Sequence, residues 1–101
     1  MSLLILNRDR KYKPNIAIDM VRDCIRHYKQ YQRPIDSITL SPALFHKWKE
    51  GIEERNRDLE DDKKLDVEGK DRVEFRNATI IKGSKFMNDG LSVKLKELVL
   101  Q

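Results

Sequence analysis

The chain has 101 residues, of which 39% are apolar and 38% charged, enough for one modest core and too apolar for a disordered chain. Its 21 Lys and Arg against 17 Asp and Glu leave a net charge of +4, which favours acidic partners only where positive charge gathers on one face. A lone cysteine excludes an intramolecular disulfide and no apolar run reaches membrane-spanning length, so a soluble, cytoplasmic single domain over residues 1–101 is expected.

Leu3-Leu4-Ile5-Leu6 reads as a short covered strand or an extended arm. Arg8, Arg10, Lys11 and Lys13, with Tyr12 between them, form the densest basic segment. A phosphate-contacting arm has this composition, and so has a solvated loop. From Pro14-Asn15 to Gln32 apolar residues recur at helical spacing (Ala17, Met20, Val21, Cys24, Ile25, Tyr28, Tyr31), with Asn15 able to cap the start and Arg33-Pro34 ending the run. On the opposite face Arg22, Arg26, Lys29 and Arg33 align as a cationic stripe that can lie along a phosphate backbone or simply face water. Asp19 and Asp23 each stand one turn before an arginine and blunt that stripe.

Ile35–Leu40 reads as a strand feeding a helix from Pro42 to about Arg57, with Ser41 as its cap and Pro42 at the first helical position. Leu44, Phe45, Trp48 and Ile52 make the apolar stripe of this helix. Gly51 inside it costs about 1 kcal/mol relative to alanine, which implies a kink or close packing. Residues 58–71 hold few apolar side chains and read as a mobile charged loop. Asp58, Glu60 and Asp62 are spaced like the first ligands of a calcium loop, but the turn glycine is missing and Gly69 occupies the place of the bidentate glutamate, so no metal is expected.

The last third alternates with period two. Arg72–Arg76, Thr79–Lys82 and Leu91–Lys96 read as a three-stranded antiparallel meander, with turns at Asn77-Ala78, Gly83-Ser84 and Asn88-Asp89-Gly90. Val93 and Leu95 would face the core, with Lys94 and Lys96 in water. The fold expected from these elements is α+β: two helices packed on one face of a mainly antiparallel sheet of four or five strands, in the order β-α-β-α-β-β-β.

Candidate chemistry is sparse. Cys24 falls on an apolar helical stripe, His27 and His46 form no ligand pair, and no phosphate-cradling glycine loop or nucleophile elbow is present. Neither an enzyme nor a cofactor is expected. A non-enzymatic protein-binding module fits best, contacting a protein partner or a second copy of itself through Phe86 and Met87 and through the apolar Leu98-Val99-Leu100. The alternative is a small nucleic-acid-binding protein using Arg8, Arg10, Lys11, Lys13, Arg22, Arg26, Lys29 and Arg33. The run Ile38-Thr39-Leu40-Ser41-Pro42, Phe45, Trp48 and Ile52, followed by a charged loop, Val73–Asn77, Ile80-Ile81 and Leu91–Val93, resembles the strand–helix–strand–strand layout of small uncharacterised proteins from bacteriophages and prophages. That resemblance implies an accessory or host-directed α+β binding protein and carries no catalytic residue across.

Overall fold

Helix α1 (Pro14–Gln30) has Lys13 at its cap position and Pro14 in its first turn, so Asn15 lies inside the helix and does not cap it as expected. Proline takes the outer position because its fixed φ suits a first turn and its missing N–H is no loss there. In this computed structural model, which describes residues 13–97, α1 stops at Gln30, short of the expected Gln32. The Gln32 N–H donates to the Lys29 carbonyl at 3.0 Å and the Arg33 N–H to the Tyr28 carbonyl at 2.9 Å. With Gln32 at φ 55°, this is a left-handed Schellman turn that satisfies the last carbonyls and turns the chain sharply before Pro34.

Strand β1 (Ile35–Leu40) leads through Ser41 into helix α2 (Pro42–Asn56), which buries Leu44, Phe45, Trp48, Gly51 and Ile52. A single 3₁₀ turn (Asp61–Lys63) precedes strands β2 (Arg72–Phe75), β3 (Ala78–Lys82) and β4 (Leu91–Leu95). Among the described residues two helices and a four-stranded mixed sheet make the fold α+β. Leu3–Leu6, the expected first strand, lies outside the described residues.

The sheet runs β2-β3-β1-β4, which corrects the expected meander. β2 and β3 form the expected hairpin, but β4 pairs with β1, antiparallel, and β1 pairs with β3 in parallel. The reason is that β3 has no free edge, with β2 on one side and β1 on the other. Ile38 opposite Ile80 in the parallel pair are both fully buried, so apolar burial favours bringing β1 beside β3 over leaving it outside a local meander. The helix-containing crossover through α2 is what a parallel pair demands. Beyond β3 the Gly83 N–H donates to the Leu40 carbonyl at 2.7 Å, and residues 83–90 carry the chain past the end of β1 to its other edge.

Paired positions share a face of the sheet. Ile38, Leu40, Ile80, Val73 and Ala78 on one face join Ala17, Ile18, Val21, Leu44, Phe45, Trp48 and Ile52 of the helices in one core. Thr39, Thr79, Glu74, Ser92 and Lys94 on the other face are half-buried or exposed. Residues 58–71 are tied to this body at several points, among them the Lys82 N–H, which donates to the Asp71 carbonyl at 2.8 Å, and the Lys49 side chain, which donates to the Lys70 carbonyl at 3.2 Å. The Asn56 side chain donates to the Leu65 carbonyl at 2.8 Å and accepts from its N–H at 3.1 Å, and Val67 is buried.

Ser41 stands at the cap of α2, but its hydroxyl makes no bond to the helix. It donates to Asp89 Oδ1 at 2.9 Å and accepts from the Gly90 N–H at 3.1 Å, while its own N–H donates to the Gly90 carbonyl at 2.8 Å. The buried residue therefore pins the start of β4 to the end of β1. Ser41→Ala is expected to cost about 1–2 kcal/mol in chemical denaturation, because it leaves the Gly90 N–H without its acceptor. Asp89→Ala should cost a similar amount, and the double variant should cost clearly less than the sum. Additive losses would mean that Ser41 and Asp89 act independently.

Candidate functional site

The C-terminal half of α1, the Schellman turn after it and the tip of the β2–β3 hairpin come together at one end of the sheet. Their side chains line an open groove of about 1030 Å³. Arg22, Arg26 and Lys29 reach it from α1, Gln32 and Arg33 from the turn, Arg76 and Asn77 from the hairpin tip, and Lys96 from just beyond β4. Ile25, Pro34, Ile35 and Ala78 supply its apolar part. Lys96 is held there because its N–H continues the ladder to the Pro34 carbonyl at 3.0 Å.

Six lining side chains are cationic and none is acidic. Of the six, only Arg26 forms an ion pair among the described residues, with Asp23 at 2.8 Å, and both partners are largely exposed. Such a pair holds its charges weakly. The expected partner of Arg22, Asp19, makes no ion pair with it among the described residues. Lys29 and Arg33 also lie by the C-terminal end of α1, where the helix dipole offsets part of their charge. Arg22 stands two turns before that end and has no such compensation.

The backbone is unusual at the same place. The three non-glycine residues with positive φ among those described are Gln32, Arg76 (φ 51°) and Asn77 (φ 67°), and all three line the groove. Phe75 pairs with Ala78, so Arg76 and Asn77 form a two-residue hairpin turn with both residues left-handed, as a type I′ turn requires. Asparagine tolerates that region, whereas a long side chain with a Cβ there costs about 1–2 kcal/mol. Glycine or asparagine would make the same turn at less cost. The guanidinium of Arg76 lies 5.4 Å from the Phe75 ring centroid, a contact that orients it.

Arg22, Arg26, Lys29 and Arg33 are thus brought together as the sequence implied. Lys13 is exposed at the far end of α1 and does not line the groove. Arg8, Arg10 and Lys11 lie outside the described residues, as do Leu98, Val99 and Leu100. Arg76, Asn77, Gln32 and Lys96 escaped sequence reading, because tertiary contacts alone place them beside α1. The signal within reach was Asn77 at a turn, with Arg76 before it. Phe86 is 84% exposed, with Lys85 Nζ 5.2 Å from its ring centroid. Met87 is half-buried.

Other reactive groups offer little. Burial pushes the Cys24 thiol above its ordinary value, the opposite of what a nucleophile needs. His46 Nε2 sits 3.0 Å from Glu50 Oε1 on the exposed side of α2. His27 stacks edge-on against Tyr28 and Tyr31. Among the described residues no group of three or more His, Cys, Asp or Glu could hold a metal ion, and no helix is long and apolar enough to cross a membrane. In comparisons with known proteins the chain matches no protein family, no curated protein and no solved structure.

Proposed function

We propose that this chain is a non-enzymatic nucleic-acid-binding module that holds a phosphate backbone in the groove between α1 and the β2–β3 turn. The observation that carries the reading is six cationic side chains, without an acidic one, lining a single groove. Phosphate contacts from Lys and Arg supply the sequence-independent part of nucleic-acid affinity, through release of condensed counterions. Four to six such contacts give a log–log slope of about −4 to −5 against salt, so affinity for duplex DNA should fall on the order of 10²–10³-fold from about 50 to about 200 mM salt. A fluorescence-anisotropy titration with a random-sequence duplex measures it. Absence of binding at the lower salt removes the reading. On this reading the protein works in the cytoplasm, where nucleic acid is present and the free Cys24 stays reduced.

A second reading, contact with another protein or a second copy of this chain, is supported by Phe86. An exposed aromatic of that size is the type of side chain that dominates interface energies. The accessory role implied by the phage-protein resemblance is compatible with either reading. A chain that binds no nucleic acid at low salt leaves the Phe86 reading in place.

A further inference from the structure

Resting on the nucleic-acid reading, we infer that the groove takes a double helix in preference to a single strand, and that the Arg76-Asn77 turn is the part that enters the duplex groove. Proteins that hold single strands stack successive bases on aromatic rings, and no aromatic residue stands among the groove-lining residues. The lining instead offers charge in a row. Arg22, Arg26 and Lys29 occupy one face of α1, spanning about 10 Å at 1.5 Å per residue.

The hairpin tip projects beside this row and differs from it in kind. A two-stranded ribbon fits the major groove of a duplex. Arginine carries a rigid fork of donors suited to guanine, and asparagine pairs bidentately with adenine. These two side chains occupy the only two-residue turn of the described sheet, both are exposed, and both hold a left-handed backbone that glycine would adopt more easily. Arg76 is exposed in this strained turn, its guanidinium held 5.4 Å from the Phe75 ring centroid, and it lines the same groove as the phosphate-binding row.

The test uses the full chain, with a duplex and the single strand of the same sequence in anisotropy titrations at matched low salt, for the parent and for Arg76→Gly. The parent should bind the duplex at least about tenfold more tightly than the single strand. Arg76→Gly should melt at the same or a higher temperature while losing about tenfold in duplex affinity, the range of one good base-edge pair. A parent that prefers the single strand, or an Arg76→Gly variant that binds duplex as the parent does, overturns the inference while leaving the groove itself standing. A parent that binds neither overturns the underlying reading as well. An Asn77→Gly variant serves as a second probe, and it too should lose duplex affinity without loss of stability.

Discussion

Trp48→Ala is expected to cost about 3–5 kcal/mol, the range for removing a large buried aromatic side chain. Trp48 is fully buried, and its ring meets Phe45 at 6.0 Å and Phe75 edge-on at 5.6 Å. It therefore bridges α2 and β2, and alanine would leave a cavity that two rigid elements cannot close. Against a total of about 5–15 kcal/mol for a domain of this kind, that loss removes a large share of the stability. Trp48 is also the sole tryptophan, so unfolding of the variant must be followed by circular dichroism. Trp48→Phe should lose less than half as much. The Trp48 Nε1 group is buried without a hydrogen-bond partner among the described residues, so phenylalanine forfeits ring area but no bond. An alanine variant that unfolds within about 1 kcal/mol of the parent would mean that the site collapses onto the space.

Gly51→Ala is expected to destabilise by about 2–3 kcal/mol, as overpacking does, although helix propensity alone predicts a gain of about 1 kcal/mol. A Cβ built on Gly51 would stand 2.7 Å from Ile18 Cγ1 and 2.7 Å from the Pro14 carbonyl oxygen. Ile18 is buried and β-branched, so its Cγ1 has little freedom, and the Pro14 carbonyl belongs to the first turn of α1 and can shift only with that helix. The glycine therefore sets how closely α1 approaches α2. A urea midpoint that falls, with an unchanged slope, identifies lost stability. A midpoint that rises would show that the helices part at little cost.

Gly51 also illustrates what the sequence could convey. A glycine in the middle of a helical stripe signalled a kink or close packing, and the close approach of α1 is the packing alternative. Both helices were legible because their apolar residues recur with the helical period, and the β2–β3 hairpin because its two strands are adjacent in the chain. The pairing of β4 was not. Leu91–Leu95 alternates equally well beside β3 or β1, and only the occupation of both β3 edges decides between them. Ser41 looked like a helix cap because serine before proline is one locally; its hydroxyl goes instead to Asp89 and Gly90, which no local pattern reveals. In the candidate site, Arg22 to Arg33 were visible as one helical face. Arg76 and Lys96 were not, since a hairpin tip and a strand end reach that face only after the sheet has formed.

The central position of β1 shapes how the protein is made. Ile38 and Leu40 leave the ribosome early, while their neighbours Ile80 and Val93 follow much later. Until β3 emerges a growing chain carries an apolar ribbon with neither flank covered, and until β4 emerges one flank stays open, the kind of segment that recruits chaperones or aggregates. Such distant pairing also slows folding compared with a local meander of the same size. Nascent chains halted before Ala78 should therefore remain more protease-sensitive than chains that include Leu95, because β1 then has neither of its sheet neighbours.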